Sequence, residues 1–126
     1  MSEPQKVLII DDEEDIRELA RISLERVGGL QVLVAASGPE GLKLAASEHP
    51  DAIVLDAMMP GMDGPETLTQ LKADSATEQI PVVFLTGSVQ AAERDRFKSL
   101  GAAGLLPKPF DPMRLADDLR SCLGWS

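Results

Sequence analysis

Short runs of consecutive apolar residues alternate along the chain with longer segments in which apolar residues recur every three or four positions. Unbroken apolar runs are typical of strands buried on both faces of a parallel sheet, and the longer segments are typical of amphipathic helices. The predicted strands are Lys6–Ile10, Gln31–Ala35, Ala52–Asp56, 81–86 and Gly104–Pro107. The alternation predicts an α/β fold with an open, doubly wound parallel sheet covered by helices on both faces. The proline in the fifth strand is typical of an edge position.

Helix boundaries follow from capping and helix-breaking residues between these strands. The first helix is expected over 14–27, and the third over 65–73. Ser37 is expected to open the second helix as part of a capping box with Glu40, and Ser88 to cap the fourth. Asp111-Pro112 is expected to start the last helix. The residues expected to face inward from the first and last helices are Ile16, Leu19, Ala20, Ser23, Val27, Leu115, Leu119, Cys122 and Leu123.

Composition narrows the class of protein. A length of 126 residues fits one domain, expected over 1–126 with a core of about 6–123. A net charge of −9 argues against nucleic-acid binding, and no apolar run approaches the roughly 18 residues of a membrane helix. Cys122 is the single cysteine and His49 the single histidine, which argues against a disulfide or a structural zinc site. We therefore expect a cytoplasmic protein without a membrane partner.

Polar residues with reactive groups stand where the predicted strands end. In a doubly wound sheet the functional crevice lies beyond the carboxyl ends of the strands. These residues are Asp11 and Asp12 after the first strand, Asp56 in the third, Thr86 in the fourth and Lys108 after the fifth. The sequence therefore predicts that three carboxylates, the hydroxyls of Thr86 and Ser88 and one ammonium group converge at one edge.

Three converging carboxylates repel one another, so their charge must be offset. Lys108 supplies one positive charge, and a divalent cation would supply the remainder. Because the candidate ligands are oxygens, a hard ion is expected: Mg²⁺, with Mn²⁺ as an alternative. Mg²⁺ usually binds through one or two carboxylates together with a phosphate, which indicates a site for a phosphoryl group.

Asp56 is the candidate nucleophile of this site. A serine or cysteine nucleophile needs a neighbouring base, and His49 falls at a helix end on the opposite side of the sheet. A carboxylate is ionised at neutral pH and attacks phosphorus without a base. The charge that develops on the phosphoryl oxygens would be offset by Lys108, the Thr86 hydroxyl and the metal ion.

The residues that carry this chemistry lie in four segments that resemble the receiver domain of two-component response regulators, with a stand-alone, chemotaxis-type regulator as the simplest relative. The segments are VLIIDD at 7–12, IVLDAMMPGMDG at 53–64, PVVFLTG at 81–87 and GAAGLLPKPF at 101–110. They occur in the family's order and extend over the whole domain. The resemblance implies a flavodoxin-like (βα)5 fold with strand order 2-1-3-4-5.

The resemblance also implies roles for individual residues. Asp56 would be the phosphoryl acceptor, while Thr86 and Lys108 would contact phosphoryl oxygens. The Lys108–Pro109 peptide bond would be cis. The donor would be a phosphohistidine on a sensor histidine kinase or a histidine phosphotransfer protein. The implied metal ligands are Asp11 through a water molecule, Asp12, Asp56 and the backbone carbonyl of Met58.

Two positions depart from the pattern common in the family. Relatives often carry Tyr or Phe three residues before the lysine, and this ring follows the threonine toward the phosphate; the present chain has Leu105 there. We therefore expect signalling that does not use a threonine–aromatic pair. Met58, two residues after the acceptor, has no polar group to hold a hydrolytic water, so we expect a longer phosphorylated lifetime than in a relative with Asn at this position.

Three functions, and one purely structural explanation, compete at this point. The structural explanation is that Asp11 and Asp12 simply cap the first helix. Among the functions, a degenerate receiver would bind partners without phosphate. A phosphohydrolase would often carry a second Asp two residues after its nucleophile, where this chain has Met58. Because the acids, the threonine and the lysine are all present, a phospho-accepting switch is the preferred function, and a turnover enzyme is not expected.

The signal is expected to leave the domain through protein contacts. No DNA-binding or catalytic segment follows the predicted domain within the 126 residues. The signal would therefore pass by docking to a downstream protein, or by onward transfer of the phosphoryl group. Relatives most often use the face formed by the fourth helix, fifth strand and fifth helix. In this chain that face would present Arg94, Arg96, Lys98 and Arg114.

Overall fold

A five-stranded parallel sheet lies between two layers of helices in the computed structural model, which describes residues 5–87 and 90–125. The strands are β1 (Lys6–Ile10), β2 (Gln31–Ala35), β3 (Ala52–Asp56), β4 (Val82–Thr86) and β5 (Gly104–Pro107). The helices are α1 (Glu14–Ile22), α2 (Gly38–Glu48), α3 (Gly64–Ala73), α4 (Ala91–Ser99) and α5 (Leu115–Leu123). The strand order β2-β1-β3-β4-β5 confirms the predicted topology, with β5 at an edge.

The sheet divides the apolar core into two halves because successive side chains of a strand point to opposite faces. In β1, Leu8 packs into the half that contains Phe97 of α4, and Ile9 packs into the half that contains Leu119 of α5. Every residue of β3 and β4 is buried. This burial on both faces fixes the central strands, and with them the strand ends that carry the polar residues.

Side-chain caps start two of the helices. Ser37 Oγ accepts a hydrogen bond from the backbone N–H of Glu40 at 3.3 Å, which confirms the predicted cap of α2. In a capping box the Glu40 carboxylate would accept in return from the N–H of Ser37. It accepts instead from the N–H of Ala36, one residue earlier. Asp63 Oδ1 accepts from the N–H of Glu66 at 2.9 Å and caps α3, so this helix begins at Gly64.

The first helical segment differs from the prediction in its second half. The α-helix ends at Ile22, and a π-helical segment (Ser23–Val27) follows. Leu19 and Val27, both predicted to face inward, are 42% and 46% exposed. The wider turn of a π-helix rotates the following side chains away from a 3.6-residue period, so Leu24 lies in the core in place of Val27.

The last two helices also start later than predicted. Asp111 Oδ1 accepts from the N–H of Met113 at 2.9 Å and forms a turn of its own. As a result α5 begins at Leu115, and the prediction that Asp111-Pro112 starts the helix is wrong. Helix α4 has Gln90 as its N-cap residue; the predicted cap, Ser88, lies outside the described residues. None of the helices in the described parts of the chain is long and apolar enough to cross a membrane.

Candidate functional site

Parallel strand pairing brings the polar strand ends to one edge of the sheet. Asp56 pairs in register with Leu85, which places Thr86 one residue beyond it on the neighbouring strand. The backbone N–H of Lys108 donates to the carbonyl of Thr86 at 2.9 Å and so anchors the segment that follows β5. On the other side of β3, the N–H of Asp11 donates to the carbonyl of Ala35 at 3.1 Å. These backbone bonds fix the positions from which the functional side chains extend.

The ammonium group of Lys108 lies among three carboxylates. Its Nζ is 3.2 Å from Asp56 Oδ2, 3.4 Å from Asp11 Oδ2 and 3.3 Å from Glu13 Oε1. The side chains of Asp11 and Asp56 are only 1% and 2% exposed, whereas that of Glu13 is 60% exposed. The carboxylates of Asp11 and Asp56 are shielded from solvent. Their attraction for the ammonium group is therefore screened far less than the attraction within an ion pair at the surface.

Each buried aspartate uses one carboxylate oxygen locally and leaves the other without a hydrogen bond. Asp11 Oδ1 accepts from the N–H of Glu13 at 2.8 Å, and Asp56 Oδ1 accepts from the N–H of Met58 at 3.1 Å. Within the described residues, Asp11 Oδ2 and Asp56 Oδ2 are buried with no hydrogen-bond partner. Buried polar atoms of this kind are uncommon and are often completed by an ion or water. The two oxygens are therefore suited to bind a cation.

Four acidic side chains are close enough to hold such a cation together. Oxygens of Asp11, Asp12, Glu13 and Asp56 lie within 4.8 Å of one another. The set contains no nitrogen or sulfur ligand, which suits a hard ion such as Mg²⁺. Asp12 is exposed, so the cluster is open to solvent on one side, and Mg²⁺ characteristically keeps part of its water shell.

Burial and charge shift the acidity of the central pair. The net pKa of Asp56 is raised from 3.8 to about 6. Burial is the main cause and the charge of Asp11 adds to it, while the hydrogen bond from Met58 and the charge of Lys108 act in the opposite direction. Burial lowers the pKa of Lys108, but attraction to Asp11 and Asp56 outweighs this effect, so the net pKa lies above the ordinary 10.5. At neutral pH the site therefore contains an ionised Asp56 carboxylate next to a fully charged ammonium group.

The comparison with known proteins agrees with this geometry. A family model described as the response regulator receiver domain matches residues 7–120. The chain belongs to the response regulator receiver family. The response regulator MprA of Mycolicibacterium vanbaalenii is 40% identical over 120 residues, which are 95% of this chain and 51% of that protein. The chemotaxis response regulator CheY4 of Vibrio cholerae has a TM-score of 0.89 at 32% identity, covering 95% of this receiver and 99% of that chain.

This receiver spans about half the length of the curated relatives it matches. The alkaline phosphatase synthesis transcriptional regulatory protein PhoP of Bacillus subtilis, for example, is 37% identical over 119 residues, which are 94% of this chain and 48% of that protein. The shared part is the receiver domain of a two-component response regulator.

The residues predicted for the site meet within the receiver as expected. Asp11, Asp56 and Lys108 are in contact, and the Lys108–Pro109 bond is cis, which confirms that prediction. The roles of these residues stay predictions: Asp56 as phosphoryl acceptor, Thr86 and Lys108 as contacts of the phosphoryl oxygens, and Asp11, Asp12, Asp56 and the Met58 carbonyl as metal ligands.

Glu13 is the member of the site that sequence reasoning missed. Its carboxylate belongs to the acidic cluster and accepts a hydrogen bond from Lys108. The available signal was its position as the third acid in an unbroken acidic run that follows a buried strand.

Proposed function

We propose that this receiver is a phospho-accepting switch in which Asp56 takes a phosphoryl group from a phosphohistidine. The observation that carries the proposal is the position of Lys108 Nζ, 3.2 Å from the buried Asp56 Oδ2, an oxygen without a hydrogen-bond partner. An ionised oxygen beside a fixed positive charge is suited to attack phosphorus, because the same charge then stabilises the oxygens of the transferred group.

The transfer requires little covalent chemistry from the protein. One oxygen of Asp56 forms a bond to phosphorus while the bond from phosphorus to the donor imidazole nitrogen breaks. The imidazole leaves with the electron pair and takes up a proton. Lys108 and the Thr86 hydroxyl offset the charge on the phosphoryl oxygens. The product is an acyl phosphate, which acts as a temporary signal, and its hydrolysis resets the switch to the free carboxylate.

The metal ligands in this proposal are side chains of the acidic cluster. Asp12, Asp56 and the backbone carbonyl of Met58 would hold Mg²⁺, with Asp11 acting through water. When bound, Mg²⁺ supplies positive charge to the phosphoryl oxygens. Asp11 Oδ2 and Asp56 Oδ2 support this assignment, because both are buried, accept no hydrogen bond and already lie beside the positive charge of Lys108.

The partners follow from the family. The donor is a sensor histidine kinase or a histidine phosphotransfer protein in the cytoplasm, and the signal is passed to a downstream protein by altered contacts. Leu105 is half-buried on β5. Because this position has no aromatic ring, a movement of Thr86 on phosphorylation alters the surface without a threonine–aromatic pair. The second candidate, a binding module that works without phosphate, rests on this departure.

Incubation with Mg²⁺ and acetyl phosphate, followed by intact-mass and peptide analysis, tests the proposal. The expected result is one phosphoryl group per chain on Asp56, labile to base, absent without Mg²⁺ and absent from Asp56→Asn. No label on the folded protein would favour the phosphate-independent module. Continued release of phosphate with many turnovers would favour a phosphohydrolase.

A further inference from the structure

Glu13 occupies the N-cap position of α1 without capping the helix. N-cap positions favour Ser, Thr, Asp and Asn, whose short side chains accept a bond from the first turn. The Glu13 side chain makes no such bond. Its backbone N–H instead donates to Asp11 Oδ1 at 2.8 Å, which fixes the residue at the rim of the functional site. A residue that breaks a local preference in this way often has a role elsewhere in the structure.

The Glu13 carboxylate turns across the site toward Lys108. Lys108 Nζ donates a hydrogen bond to Glu13 Oε1 at 3.3 Å, while Asp56 Oδ2 is 3.2 Å from the same nitrogen. Lys108 thus divides one positive charge among the buried Asp56, which would become phosphorylated, the buried Asp11 and the exposed Glu13. When a phosphoryl group arrives, Glu13 competes with it for the ammonium group.

We infer that Glu13, through its contact with Lys108, is a positioning residue that holds the ammonium group of the unphosphorylated protein and slows the gain of a phosphoryl group at Asp56. This inference rests on the proposed function and adds to it a residue that sets the rate. The contact is partly exposed, and ion pairs of this kind change equilibria by about twofold to fivefold. Loss of the Glu13 carboxylate should therefore accelerate phosphorylation by about this factor.

The test compares Glu13→Gln with Glu14→Gln at saturating Mg²⁺, so that a weaker attraction for the metal does not mask the effect. Glu14 is the matched control, because its removal changes the net charge equally from an exposed position outside the acidic cluster. Two quantities are measured: the rate of labelling by acetyl phosphate, and the NMR signal of the Lys108 ammonium group in the unphosphorylated, metal-free protein. A third variant carries Lys108→Met alone, and a fourth combines it with Glu13→Gln.

Glu13→Gln is expected to be labelled about twofold to fivefold faster than the wild type and to shift the Lys108 signal, while Glu14→Gln does neither. In the Lys108→Met background the acceleration should disappear, since Glu13 acts through that lysine. Equal rates for the two glutamine variants, or the same acceleration without Lys108, would overturn the inference. If no variant is labelled, the proposed function fails; the Lys108 signal then still decides whether Glu13 holds the ammonium group.

Discussion

Lys108 Nζ lies 3.2 Å from Asp56 Oδ2, although the two residues belong to different strand ends on either side of β4. The contact is built by the backbone: the N–H of Lys108 bonds to the Thr86 carbonyl, and the N–H of Ala57 bonds to the Leu85 carbonyl at 3.1 Å. Both charged groups are thus held in place before any ligand binds. Such pre-organisation favours a reaction in which charge develops next to them.

Asp56 should make the metal-free protein less stable as the pH rises toward neutrality. Burial raises its pKa from 3.8 to about 6, so between these values the folded state retains a proton that the unfolded state has lost. The contribution of this carboxyl to stability therefore falls as the pH rises through that window, and it is level above about pH 6. The difference is roughly 3 kcal/mol, at about 1.4 kcal/mol per pH unit.

The side chain of Asp56→Asn does not ionise, so this variant should lack the decline in stability with rising pH. It should therefore be more stable than the wild type at neutral pH. Urea unfolding at about pH 4 and about pH 7, without metal, measures the effect as the difference between variant and wild type. Parallel stability curves for the two proteins would contradict the raised pKa.

Mg²⁺ should stabilise the folded receiver by mass action, because the acidic cluster exists only in the folded state. At a concentration of about 100 times Kd the expected gain is about 2.7 kcal/mol, visible as a rise in Tm. Asp12→Ala should lose most of this rise. Asp15→Ala is the matched control, since Asp15 is an exposed acid of α1 outside the cluster. Equal responses of wild type and Asp12→Ala to Mg²⁺ would show that Asp12 is not a ligand.

The Met58 side chain should influence the lifetime of the phosphoryl group. It is 79% exposed and borders a cleft of about 370 Å³ that Thr86 also lines. A thioether holds water poorly, whereas an amide positions it for attack, so Met58→Asn should shorten the lifetime severalfold. Met113→Asn, at a position 67% exposed and outside that cleft, is the control. The decay of labelled protein after removal of the donor gives the rates, and identical decay in all three proteins is the contrary result.

Gly64 should be essential for the packing of the loop beside the acceptor. A Cβ atom at this position would lie 2.6 Å from the Asp56 carbonyl oxygen and 2.7 Å from Ala57 Cα, which are backbone atoms with little freedom to move. Gly64→Ala should therefore destabilise the protein by about 1–3 kcal/mol. A Cβ atom at Gly87 would have its nearest neighbour 3.7 Å away, so Gly87→Ala is the control. Chemical denaturation measures both, and a Gly64→Ala protein as stable as the control would contradict the packing argument.

The strands and the convergence of Asp11, Asp56 and Lys108 could be predicted from the sequence, because both depend on local patterns. Buried parallel strands have continuous apolar runs, and parallel strands end at the same edge of a sheet. Once the strands are located, the residues at their carboxyl ends must meet.

The π-helical segment could not be predicted because it depends on contacts between distant residues, whereas the late start of α5 follows from the local turn in which Asp111 accepts from Met113. Ser23 Oγ donates to the Pro112 carbonyl, and the Arg120 guanidinium donates to the Gly28 carbonyl at 2.6 Å. These bonds join the end of the first helical segment to α5 and to the turn that precedes it. A periodic pattern within one helix contains no information about them, and the side chain of Glu13 turns toward Lys108 for a similarly non-local reason.

A crystal structure with Mg²⁺ and beryllofluoride, a phosphoryl mimic, tests the convergence of charges on Asp56 most directly. We predict a single Mg²⁺ bound by Asp12 and Asp56, beryllofluoride on the Asp56 carboxylate, and Lys108 in contact with a fluorine atom. Mg²⁺ bound elsewhere, or Lys108 turned away from an occupied Asp56, would contradict this convergence.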